Sequence, residues 1–143
     1  MMNRYTLRVY PAGQGRNVYR MITICGMDTL DQLCMAILSA FDFTAEHLYE
    51  FCMDNKMYSE DSYRLNPMED EMFDEEENEG TDIELDEVGL VKGQKFSLHY
   101  DFGDDWMFTI HVTKIEKVKA YQEPMLLTAK GKVEQYPEWE ERF

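Results

Sequence analysis

A chain of 143 residues, 44% apolar and 13% aromatic, is the length of one globular domain, and folding at that size removes roughly 68–70% of the unfolded surface from water. A net charge of −15, from 29 acids against 14 Lys and Arg, disfavours a nucleic-acid backbone or an anionic membrane as partner. No apolar run approaches eighteen residues, which argues against a membrane-spanning helix, and Arg4 and Arg8 stand in an alternating pattern where a signal peptide would carry its apolar stretch. Cys25, Cys34 and Cys52 are odd in number, lie far apart in apolar patterns and form no CxxC, so they are expected as reduced, buried thiols in the cytoplasm.

Tyr5, Leu7 and Val9 alternate with Thr6, Arg8 and Tyr10, the period of a half-buried strand. Pro11-Ala12-Gly13-Gln14-Gly15 breaks the pattern, and Val18, Arg20, Ile22 and Ile24 resume it, which predicts an antiparallel hairpin with a loop of about seven residues. Thr29 and Gln32 have capping-box spacing. Leu30, Leu33, Cys34, Ile37, Leu38 and Phe41 then form a continuous stripe, predicting a helix over about Leu30 to Ala40 that covers the sheet. Phe41 to His47 is a connection. His47 to Met53 reads as a third strand with Tyr49, Phe51 and Met53 on one face, and Asp54-Asn55-Lys56 as a turn before a short return strand at Met57-Tyr58.

Charge is unevenly spread. Glu69 to Glu87 holds twelve acids and no Lys or Arg, which leaves only −3 for the rest of the chain. Such a block repels itself and stays solvated, so a flexible acidic insert is expected at about residues 66–81 within a single domain spanning 1–143. Ile83 to Val91 is expected to return to the body as a short strand or helical turn, and Lys92-Gly93-Gln94 as a turn.

The most fully specified stretch follows. Phe96, Leu98 and Tyr100 precede, and Trp106, Phe108, Ile110 and Val112 follow, the turn Asp101-Phe102-Gly103-Asp104-Asp105. Two period-2 runs about a Gly/Asp turn form a hairpin, central to the fold near residues 95–113. A two-residue loop would put the aromatics on opposite faces. An odd loop pairs Tyr100 with Trp106 and Leu98 with Phe108 on one face, and that register is the one expected. Ile115 to Ala120 is charged, and Met125-Leu126-Leu127 starts a last strand. The fold class that results is α+β: a mainly antiparallel sheet of five or six strands with one long amphipathic helix on one face.

Several of these segments are similar to a known family. Val18-Tyr19-Arg20 resembles the Ile-Trp-Arg of the plasmid pRiA4b ORF-3-like proteins. Phe41-Asp42-Phe43 and His47-Leu48-Tyr49-Glu50-Phe51 resemble their Phe-Gly-Trp and His-Leu-His-Glu-Phe. Lys92-Gly93-Gln94-Lys95-Phe96 resembles Pro-Gly-Asp-Lys-Phe, and Tyr100-Asp101-Phe102-Gly103-Asp104-Asp105-Trp106 closely resembles Tyr-Asp-Phe-Gly-Asp-Gly-Trp. Asp42 and Asp105 stand where the family has Gly. The resemblance implies an α+β fold with one covering helix; a mobile-element or resolvase-like label is attached to some members, and it implies no settled reaction. Tyr19, Arg20, His47, Asp101, Asp104, Asp105 and Trp106 are the candidate binding surface.

The chemistry classes separate by residue type. His99 and His111 share a face with Asp101, but the expected register places them too far apart for one metal ion. Asp101, Asp104 and Asp105 have no EF-hand spacing and suit the capping of turn N–H groups. Ser39, Ser59, Ser62 and Ser97 lack the arginine setting of a recombinase nucleophile. No phosphate-binding glycine motif is present. Arg4, Arg8, Arg16 and Arg20 cluster on the first hairpin, a minor patch on an acidic chain. No catalytic residue, metal or cofactor is therefore assigned. The expectation is a non-catalytic protein-interaction module for a basic protein partner, the alternative a mobile-element accessory protein acting on nucleic acid.

Overall fold

Alternating side chains give each strand one apolar face, and a sheet must bury that face against something. The structure, a computed structural model, describes residues 1–64 and 79–135. The expected acidic insert lies largely outside the described residues. Among those described, β1 (Met2–Pro11) and β2 (Tyr19–Cys25) form the first hairpin, followed by α1 (Leu30–Ala40), β3 (Tyr49–Cys52), β4 (Ser62–Arg64) and β5 (Glu79–Gly80). A single helical turn, α2 (Leu85–Val88), precedes β6 (Lys95–Tyr100), β7 (Trp106–Val118) and β8 (Met125–Lys130). The strands make one sheet in the order β5-β4-β3-β6-β7-β1-β2-β8. Every pairing is antiparallel except the short parallel contact of β4 with β5.

This corrects the expected fold class. The sheet has eight strands, not five or six, and the helices are minor: α1 has eleven residues and α2 four. There is no long amphipathic helix, and the architecture is predominantly antiparallel β. α1 occupies the expected Leu30–Ala40, and local chemistry sets both of its ends. Thr29 and Gln32 form a reciprocal capping box at its start. At its end Asp42 takes a left-handed φ of 59°, the Asp42 N–H donates to the Ser39 carbonyl and the Phe43 N–H donates to the Leu38 carbonyl. That double bond is a Schellman stop.

The strands that went uncounted are short or charged. β4 and β5 have three and two residues. The end of β7, Ile115 to Val118, carries Glu116 and Lys117, yet it pairs with Met2 to Tyr5 because β1, at ten residues, extends alongside it. Conversely, no strand forms at Met57-Tyr58, which is a turn with Tyr58 at a φ of 56°.

The core lies where β1, β7 and β6 present their apolar face to α1. Leu7 is opposite Ile22 and Val112, Val9 is opposite Ile110, and Leu98 is opposite both Phe51 and Phe108. The α1 stripe Leu30, Leu33, Cys34, Ile37 and Leu38 is buried on them. Tyr100 faces Trp106 and Leu98 faces Phe108, so the hairpin adopts the odd-loop register.

Phe108 is wholly buried, whereas Trp106 is only partly so at the margin of the core. Phe108→Ala should therefore cost roughly 3–5 kcal/mol, and Trp106→Ala about half as much, in urea unfolding; equal costs would place Trp106 inside the core.

Candidate functional site

The turn between β6 and β7 organises the polar residues. Asp101 leaves the strand with a φ of 63°, and its Oδ1 accepts from the Gly103 and Asp104 N–H groups at 3.1 and 3.3 Å. Its carbonyl accepts from the Asp105 N–H at 2.6 Å, and its own N–H donates to the Leu48 carbonyl at 2.9 Å. Asp101 is thus buried and spent on the turn, as expected of an Asx cap. Its remaining oxygen lies 3.5 Å from His47 Nε2. Tyr100 secures the adjoining connection: its hydroxyl accepts from the Glu46 and His47 N–H groups and donates to the Thr44 carbonyl.

On the sheet face opposite α1, Glu50 and His99 are cross-strand partners and both are wholly inaccessible. His99 Nδ1 is 2.6 Å from Glu50 Oε2, and His99 Nε2 is 2.7 Å from Asp105 Oδ1. The Arg64 Nε–H donates to Glu50 Oε1 at 3.1 Å and the Tyr58 N–H donates to Glu50 Oε2 at 3.0 Å. The imidazole is flanked by the rings of Tyr58 and Phe102, each at 4.9 Å. Both ring nitrogens of the imidazole thus face carboxylate oxygens. Two left-handed non-glycine residues among those described, Tyr58 and Asp105, contact His99 or Glu50 directly. Such conformations are sparsely populated, and the buried network over-determines them.

This arrangement stores charge more readily than it performs chemistry. Both ring nitrogens of His99 are occupied, leaving no lone pair for a metal or a substrate, and of Glu50, His99 and Asp105 only Asp105 reaches solvent. Cys52, beside Glu50 on β3, has its thiol pushed up to about 12 by burial and by the Glu50 charge, so it is no nucleophile near neutrality. Among the described residues no three His, Cys, Asp or Glu side chains are grouped to hold a metal ion.

The proposed surface residues divide into separate settings. His47, Asp101 and Asp105 belong to the turn. Arg20, expected on an exposed face, is buried: it donates to the carbonyls of Tyr19, Ala40, Lys130 and Gly131 and lies 4.6 Å from the Phe41 ring centre. Val9 is its cross-strand partner, which puts it on the core side. Trp106 joins the same aromatic row through Phe43, at 4.8 Å. Tyr19 is on the other face, under Arg8, and Asp104 is exposed in the turn. No single cleft gathers them. Glu50, Arg64, Tyr58 and Phe102 were not on the predicted surface. The only hint of them is His99 in an apolar strand, whose burial demands a partner the sequence does not point to.

A family model described as plasmid pRiA4b ORF-3-like protein matches residues 3–138, so the chain belongs to that family. No curated protein matches it. Among solved structures, the chain is similar to a protein of unknown function from Methanosarcina mazei Go1, with 20% identity, a TM-score of 0.70, and coverage of 90% of this chain and 70% of that one. At that identity the likeness shows the fold alone.

Both family glycines that are Asp here occupy left-handed positions, Asp42 and Asp105. Asp42→Gly should raise stability by about 1 kcal/mol by removing the Cβ penalty. Asp105→Gly gains the same relief but takes one carboxylate from buried His99, so urea unfolding should show a net loss; stabilisation by both would mean the Asp105 contact contributes nothing. In the native protein Cys52 should resist alkylation at pH 8 and react once unfolded, checked by mass spectrometry.

Proposed function

We propose that this member of the plasmid pRiA4b ORF-3-like family is a protein-interaction module, not an enzyme, and that its partner is a protein rich in Lys and Arg. The observation that carries this is the placement of charge. Twelve acids fall between Glu69 and Glu87. β4 and β5 pair in parallel, Tyr63 with Glu79 and Arg64 with Gly80, at the outer edge of the sheet. Arg64 and Glu79, the described residues that flank 65–78, therefore stand on neighbouring strands, and seven of the twelve acids fall between them in sequence. By contrast Glu50, Asp101 and Asp105, the carboxylates nearest to a catalytic arrangement, are engaged with His99, turn amides and Arg64.

A Lys- and Arg-rich surface would be attracted over about a Debye length, roughly 8 Å at physiological salt. Charges of this kind act mainly on the association rate. The free, buried thiols fit the cytoplasm as the place of action. Among the described residues no helix is long and apolar enough to cross a membrane.

The test is a pull-down from native lysate with the intact chain and with residues 69–78 deleted, followed by association kinetics on the partner recovered. The deletion should leave the melting temperature within a degree or two, slow association about tenfold and flatten its salt dependence. Retention of duplex DNA by the intact chain, with no partner lost on deletion, would sink this reading in favour of the nucleic-acid alternative.

A further inference from the structure

The acidic character of the chain reverses at one place. The loop joining β1 to β2 borders an open pocket of about 480 Å³ whose lining includes Arg8, Arg16, His111 and Tyr10. None of the eight described residues that line it is acidic, in a chain with 29 acids. No ion pair among the described residues involves Arg8, Arg16 or His111. Arg4, by contrast, is neutralised by Glu116, and Arg20 is consumed by four carbonyls.

The register builds the basic character further. Arg8 on β1 lies directly opposite His111 on β7, which lies directly opposite Lys95 on β6. Adjacent cross-strand partners stand about 5 Å apart, so the Arg8 and Lys95 cations flank the His111 imidazole on one row.

The pocket is also held open in a defined shape. One of the five Arg8 guanidinium N–H groups is spent on the Gly15 carbonyl, at 2.7 Å, while its plane lies 4.3 Å from the Tyr19 ring centre. The Lys130 ammonium donates to the Arg16 carbonyl at 2.9 Å. Gly15 sits so close to Tyr10 that a Cβ there would meet the ring at 3.0 Å. The loop backbone is thus tied on both sides of the residue that carries the second guanidinium.

We propose that this pocket binds the phosphomonoester group of a small molecule. Guanidinium forks match phosphate oxygens in pairs, and an imidazole supplies a third donor. The Gln14 and Asn17 amides and the Tyr10 ring leave a wall for the remainder of the ligand, and the volume is that of a small-ligand site. This site is on the β1–β7–β6 face, away from the β4–β5 edge, and stands or falls independently of the protein-interaction reading.

The test is titration of the full-length, isotope-labelled chain with inorganic phosphate, AMP and adenosine, following backbone amide shifts. Phosphate and AMP should give saturating shifts at Gly13, Gly15, Arg16 and His111, and adenosine none. Tighter binding of AMP than of phosphate identifies a nucleotide-like ligand, and equal binding identifies the phosphate group alone as what is read. Arg16→Gln, at an exposed position, and His111→Gln should each weaken binding about tenfold, the loss of one charge-assisted hydrogen bond, with an unchanged melting temperature. Shifts that stay linear with concentration, shifts spread equally over Lys117 and Lys119, or wild-type affinity in both variants would overturn the assignment. A DNA duplex that displaces AMP from the same amides would overturn it too, in favour of a nucleic-acid backbone.

Discussion

Everything in the sheet depends on how the chain reverses between Tyr100 and Trp106. Five residues make that reversal, and an odd number keeps Tyr100, Leu98, Trp106 and Phe108 on one face. To close it, Asp101 and Asp105 accept left-handed backbone. The Asp101 carboxylate satisfies two turn amides, and the Asp105 carboxylate reaches across to His99. The apolar core on one side and the buried charges on the other are thus set by the same turn. A slip of one residue would exchange the two faces, placing aromatics where Glu50 expects a partner.

The buried trio has a structural consequence. A carboxylate cannot be left alone in the interior at tolerable cost, but one held by an imidazole, a guanidinium and an amide can be. Glu50 joins β3 to β4 through Arg64, to β6 through His99 and to the β3–β4 loop through Tyr58. These contacts fix the order of three neighbouring strands on the face that α1 does not cover, so the same residues read as an architectural device more readily than as a catalytic one.

Charge is distributed along the sheet in a way composition hides. The residues that flank the acid-rich stretch form the β4–β5 edge, the basic row runs across β6, β7 and β1, and the opposite edge, β8, exposes Met125, Leu126 and Leu127. A net charge of −15 describes none of these places.

Local rules were enough for much of the chain. The period-2 runs, the seven-residue first loop, the capping box at Thr29 and the odd-loop register follow from neighbours in sequence, and the family is legible because its hallmark turn is a local motif. The end of α1 was not legible as a limit on fold class, since a stripe of apolar residues gives a helix its face but not its share of the architecture. β4, β5 and the charged end of β7 exist only because longer strands offer them unpaired amides, so tertiary structure decided them. The same is true of Arg20, which looks like a surface cation until four carbonyls from three segments surround it. Glu50 and His99 are 49 residues apart and nothing near either announces the other; strand order alone brings them to 2.6 Å, because pairing between strands is a long-range choice that side-chain periodicity does not encode.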